Sequence, residues 1–561
     1  MRALLLPTLA VMTILGVEEA RPIAAQEGSM ATGPVTSPAT WSGRSTVYAP
    51  RDVAATSQPL ATAAALEIMR DGGNAIDAAV AAAAVLNVVE PHMTGMGGDM
   101  FAILWTAEEG RLVGLDASGR SGSRMTPESV ADARARDESN AHTVTVPGAL
   151  SGWSTLVETY GDLTLAQVLA PAIRIASEGF PVSPIIAHDW EASAERLAED
   201  EGAAATYLVD GKAPAPGQWF RNPDLARTFT RIAESGPGVF YGGDLGREVV
   251  AGLDALGGFV TLDDLARHEP RWVEPMSVDY KGYTLWELPP AGQGVAALQM
   301  LKMLEGHDFS AMTHNSAEYL HLLIEAKKLA YADLARYVAD PDHMDVDPAS
   351  LLDPAYLAGR AATIDPERAA ERVDPGRMVT DSETIYLTVA DRHGNMISFI
   401  NSIYSSFGSG IVIPGTGFAL QNRGQGFTLE EGHPNRVAPN KRPLHTIIPA
   451  FVTRDGQPWV SFGVMGGAMQ PQGHVQVLLN MVEFGMDPQE AIDAGRFRHY
   501  SGLRVAIERL DPGVAAELEA MGHELLERGG GAFGGGQLIM RLDRGWAAAS
   551  DPRKDGMAAG H

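Results

Sequence analysis

The polarity pattern changes character along the chain. From Val47 to Pro91, VYAPRDVAATSQPLATAAALEIMRDGGNAIDAAVAAAAVLNVVEP predicts a strand followed by two Ala-rich helices. Gly72 and Gly73 stop the first helix, and Asn74 is placed to cap the second. The second run is apolar on every side, too short for a comfortable membrane span, and carries Asp77, so it reads as a buried helix. FAILWTAEEGRLVGLDASG predicts a strand pair around a Gly-containing turn. Helical patterns dominate from about Ala149 to Ala339. One begins at HNSAEYLHLLIEAKKLAYADLARY, where Asn315 and Glu318 stand at capping-box spacing.

Between Asp340 and Asp381 the periodicity dissolves into charges and repeated Asp-Pro pairs, the signature of an exposed break. Beyond it the period becomes two: TIYLTVA, a DRHGN turn, then MISFINS. A Gly-rich stretch, FGSGIVIPGTG, follows. Further strands are predicted in TIIPAFVTRDGQPWVSFGV, a helix at GHVQVLLNMVEFG, and a last strand pair ending near QLIMRL. No internal repeat is present. The chain is helix-rich for two-thirds of its length and strand-rich after Thr384, an α/β (α+β) mixture.

Composition narrows the class. At 561 residues the chain supports two structural units or one large enzyme fold. Forty-three basic residues against 70 acidic ones give a net charge of −27, which repels nucleic acid and anionic membrane surfaces. No basic cluster reverses that locally. There is no cysteine, which removes thiol catalysis, disulfides and Cys-based zinc sites together. At the N-terminus, MRALLLPTLAVMTILGV has one positive charge before an apolar run of export-signal length. Residues 1–29 therefore read as a removed signal, placing the protein in the periplasm or outside the cell. Translation from Met30 is the alternative and leaves it in the cytoplasm.

Several motifs carry little. GGGAFG (Gly529–Gly534) matches a dinucleotide fingerprint but precedes a strand, so a loop is the better reading. TGMGGDMF lacks the Gly-Lys-Ser/Thr of a phosphate loop and more plausibly brings backbone close to a neighbour. Neither H-E-x-x-H nor G-x-S-x-G occurs. His321, in a helical run, reads as packing. His445, beside a strand in NKRPLHTIIPA, is a candidate pocket residue.

Thr384 opens a strand directly behind the acidic linker. Thr is a common strand residue, and on composition alone that explanation stands beside a second. A hydroxyl needs a base to act as nucleophile, and a cut before Thr384 would supply one in its own α-amino group, of ordinary pKa ~7.7–8.0. Gly-rich turns elsewhere offer backbone oxyanion donors.

TVYAP, GMGGDMF, PPAGQG, ETIYLTVADRHGN, FGSGIVIPGTG, NKRPLHTIIPA and GVMGGAMQPQGHVQ together resemble the γ-glutamyltransferase family of N-terminal-nucleophile hydrolases, over roughly residues 46–545. The resemblance implies a four-layer αββα sandwich, made as an inactive precursor that cuts itself between Glu383 and Thr384. A large subunit, 30–383, would stay with a small one, 384–561, as a heterodimer. Thr384 would be the nucleophile, Ser402 its supporting hydroxyl, and the Gly466 and Gly467 N–H groups the oxyanion hole. No cofactor or metal is implied, and the partner is a small-molecule amide.

The substrate positions depart from the pattern. An Asp that holds the substrate ammonium is matched by Gly426. The Arg for the substrate carboxylate is matched by Ser118, with Arg120 the nearest arginine. A hydroxyl pair becomes His445 and Thr446, an Asn becomes Tyr404, and a Gln becomes Arg423. Arg120 and Arg423 suit a carboxylate, whereas an ammonium loses its partner unless Glu430 or Glu431 stands in. The expectation is an amidohydrolase for glutaryl-like acyl groups, as in the family's cephalosporin acylases, with some γ-glutamyl transfer. Glutathione hydrolysis, hydrolysis of small dicarboxylic amides such as oxamate, and an inactive binding protein of the same shape are the alternatives.

Overall fold

The computed structural model describes residues 43–136, 139–373 and 383–561. The N-terminal segment 1–29 and the linker immediately before Glu383 lie outside the described residues.

Two seven-stranded antiparallel sheets form the centre. One runs, edge to edge, Met557–Gly560, Val53–Thr56, Glu383–Ala390, Met396–Tyr404, Asp99–Thr106, Arg111–Ala117, Arg271–Val273. The other runs Val47–Ala49, Trp546–Ser550, Gly536–Arg541, Gln457–Val464, Ala450–Arg454, Tyr283–Glu287, Met276–Tyr280. They pack face to face, with Glu383–Ala390 and Met396–Tyr404 against Gln457–Val464. Polar pairs punctuate the seam: Thr388 Oγ1 meets Ser461 Oγ at 2.5 Å. Because both faces of the central strands are covered, every residue of Met396–Tyr404 is buried.

Helices close the outer faces. Ala75–Val89 lies on the first sheet with all 15 residues buried, which explains its lack of a polar face. Asn74 caps it in a full capping box with Asp77, as the pattern predicted. Gly294–Leu304 and Gln470–Val482 cover the second sheet, with Ala317–Tyr337 packed on Gly294–Leu304. Helix, sheet, sheet, helix: this is the four-layer αββα sandwich.

Two expectations change. The helix Ala317–Tyr337 is capped by Ser316, whose side chain accepts from Tyr319 N, not by Asn315. Asn315 has φ of 57° and donates its amide to the Gly495 carbonyl, so it is turned out of the cap position. The stretch expected to be helical up to Ala339 also contains five strands: the two-residue pair Phe180–Pro181 and Trp219–Phe220, and then Arg271–Val273, Met276–Tyr280 and Tyr283–Glu287. Among the described residues no helix is long and apolar enough to cross a membrane.

Candidate active site

Thr384 and Ser402 lie on neighbouring antiparallel strands, at a fault in the ladder. Glu383 pairs with Tyr404 but Ile385 pairs with Asn401, so one extra residue is accommodated on the Ser402 side. Such a bulge re-aims side chains beside it. Both residues are fully buried, and Thr384 Oγ1 lies 3.4 Å from Ser402 Oγ. That is a long contact of the kind that tightens when substrate binds.

Besides the Thr384 hydroxyl, two donors converge on Ser402 Oγ: Tyr404 N at 2.9 Å and Arg423 Nη2 at 3.0 Å. Arg423 Nη1 donates to Thr446 Oγ1 at 2.8 Å, and its guanidinium lies 4.7 Å from the Tyr404 ring centre. To present its ring there Tyr404 takes φ of 79°, a left-handed conformation that costs a non-glycine residue about 1 kcal/mol or more. Arg423 is completely buried, which pushes it down to about 10, opposed by the negative charge of Asp99. It therefore stays charged at neutral pH. Among the described residues, Arg423 Nε and Tyr404 Oη have no hydrogen-bond partner.

Asp99 is the residue that motif reading missed. It opens a strand whose Asp99 faces Ser402 in register. Gly98 makes the approach: a Cβ there would lie 2.2 Å from the Ser402 carbonyl oxygen. The carboxylate takes His445 Nε2 at 3.0 Å, Gly119 N at 2.9 Å, Gly148 N at 3.2 Å and Gln421 Nε2 at 3.1 Å. Three of these donors fall on Oδ1 and one, His445, on Oδ2. Burial pushes His445 down to about 4, helped by the Arg423 charge, so it is neutral at pH 7.

The turn at Gly466 and Gly467 follows the strand Gln457–Val464 and leads into the helix Gln470–Val482. Its φ values of 117° and 56° explain two consecutive glycines. Its carbonyls are held from behind. Gly466 O accepts from Met469 N at 2.9 Å, and Gly467 O from Gln293 Nε2 at 2.8 Å. Ala468 O accepts from Tyr331 Oη at 2.5 Å. The same Gln293 amide reaches Thr446 O at 2.5 Å, so one side chain ties the Gly467 turn to the Thr446 segment. Gln293 belongs to PPAGQG, a motif whose glutamine gave no separate signal. Gly534, from the GGGAFG loop, packs on this turn, where a Cβ would meet Met465 O at 2.1 Å.

Thr384, Ser402, Tyr404, Arg423 and Thr446 are thus joined by direct contacts. Arg120 stands apart. Its guanidinium donates to Asn440 O at 2.8 Å and pairs with Asp340 at 3.4 Å. It lines a separate polar cavity of about 400 Å³ together with His268, Arg271 and Arg442. Glu430 and Glu431 are both exposed.

The sandwich, with a threonine near the start of an inner strand beside a buried hydroxyl, is that of the N-terminal-nucleophile amidohydrolases and acyltransferases. The gamma-glutamyltranspeptidase profile matches residues 61–561, and the chain belongs to that family. It is 38% identical over 516 residues to a Bacillus subtilis glutathione hydrolase-like proenzyme, YwrD, covering 89% of this chain and 97% of that one. Its identity to the oxamate amidohydrolase proenzyme of Klebsiella pneumoniae is also 38%, over 90% of this chain and 97% of the relative. A solved cephalosporin acylase from Bacillus halodurans superposes with a TM-score of 0.88 at 42% identity, covering 94% of this chain and 98% of that one.

Proposed function

We propose that the chain is a precursor cut between Glu383 and Thr384, and that the resulting enzyme hydrolyses amides of short dicarboxylic, ammonium-free acyl groups, glutaryl-like in size. Thr384 Oγ attacks the amide carbonyl while its own amine takes the proton. The Gly466 and Gly467 N–H groups stabilise the tetrahedral oxyanion, each such donor being worth roughly 3 kcal/mol. The amine leaves with the proton, and water resolves the acyl-enzyme. The two products of the cut, 30–383 and 384–561, remain together because each contributes strands to both sheets.

The observation that carries the acyl preference is the buried Arg423 cation directly behind the nucleophile pair. Among the described residues nothing comparable answers an ammonium: position 426 is glycine, Asp99 already takes four donors, and Glu430 and Glu431 are exposed. A carboxylate gains a charge-assisted partner here, and an ammonium meets like charge. Two of the relatives are named a cephalosporin acylase and an oxamate amidohydrolase, in keeping with this reading, while a third bears a glutathione hydrolase-like name. The test compares glutaryl and γ-glutamyl p-nitroanilides. The glutaryl compound is expected to have the larger kcat/KM, and an equal or smaller value would overturn the acyl assignment.

A further inference from the structure

Arg423 stands close enough to Thr384 to act on the chemistry itself, apart from any grip on substrate. Its Nη2 lies 3.0 Å from Ser402 Oγ, which lies 3.4 Å from Thr384 Oγ1. A cut before Thr384 would create an amine on the Cα that carries this hydroxyl, and the hydroxyl itself stands two contacts from a buried cation. Among the described residues, the ionisable groups that interact with Arg423 are Asp99, Tyr404 and His445. Asp99 is the counter-charge, held by His445, Gln421 and two backbone N–H groups. His445 is neutral at pH 7. The Tyr404 hydroxyl, raised by burial to about 12, is neutral as well.

We propose that Arg423 is a positioning and charge-setting residue for the nucleophile: it fixes Ser402 and disfavours the protonated Thr384 amine. The free base then exists at lower pH than at an ordinary chain terminus. In the step it serves, the neutral amine accepts the Thr384 hydroxyl proton as Oγ bonds to the carbonyl carbon. The proton passes to the departing nitrogen as the C–N bond breaks. The inference rests on the cut before Thr384 but not on the identity of the acyl group. At a separation of ~7 Å and the effective dielectric of protein sites, a unit charge moves a neighbouring amine by about one to two pH units.

The experiment is the pH dependence of kcat/KM with a neutral acyl substrate, butyryl p-nitroanilide, so that carboxylate recognition drops out. The acid limb reports the free amine. Wild type is expected to show a limb below the ordinary range of ~7.7–8.0. Arg423→Gln is expected to move it up by about one unit or more, while Arg423→Lys, which keeps the charge, leaves it within a few tenths. A glutamine variant whose limb coincides with wild type overturns the proposal. If that variant is not processed, the wild-type limb decides: at or above the ordinary range, the proposal fails. N-terminal sequencing of the small chain separates the two levels. A terminus other than Thr384 defeats the cut, whereas the right terminus with an unmoved limb defeats only the role of Arg423.

Discussion

Gly426 shows at the scale of one residue why substrate preference is not a matter of one side chain. A Cβ at this position would lie 2.9 Å from the Leu444 carbonyl oxygen and 3.5 Å from Pro443 Cβ. An aspartate there must push on the backbone that leads into His445 and Thr446. Gly426→Asp is therefore expected to lose about 1–3 kcal/mol of stability, the usual cost of overpacking, as read from urea unfolding. It is not expected to reverse the preference between glutaryl and γ-glutamyl anilides. A stable variant with reversed preference would show that the Leu444 segment yields freely. An abrupt change of period drew attention to Thr384, and the family resemblance, not the period, singled it out as the nucleophile candidate. Asp99 was not, because a single acid between a glycine turn and an apolar strand looks like an ordinary strand start. Only the fold reveals that four donors meet on it.

Among elements, the site is a junction of three segments. The Thr384 and Ser402 strands come from one hairpin, whose turn and alternation were plain in the sequence. The Gly466–Gly467 turn and the Thr446 segment come from further along, and Gln293 joins them from far upstream. Such a bridge has no local signature, since its partners are backbone carbonyls more than 150 residues away. Gln293→Ala is expected to lower kcat by about ten- to a hundredfold with little change in KM, because a loosened oxyanion turn costs the transition state alone. Steady-state kinetics check it, and an unchanged kcat would show that the turn holds without the bridge. The strands between Arg271 and Glu287 escaped reading for a related reason. They are short, flanked by helices, and two of them pair with strands far away in sequence, Arg271–Val273 with Arg111–Ala117 and Tyr283–Glu287 with Ala450–Arg454.

For the molecule as a whole, both sheets draw strands from either side of Glu383–Thr384. Val53–Thr56 pairs with Glu383–Ala390, and Tyr283–Glu287 with Ala450–Arg454. A break at that junction therefore leaves the sandwich stitched together, so the cut can free an amine without unfolding the site. The four layers were legible only through resemblance, because periodicity names strands but not the order in which they pair. The acidic surface and the lack of cysteine excluded other chemistries without indicating this one. The central claim is that Thr384 becomes a chain terminus and the nucleophile. Intact-mass analysis of the purified protein tests it most directly: the account predicts two polypeptides, the smaller beginning at Thr384 and ending at His561. One uncut chain, or a small chain beginning at any other residue, would contradict it.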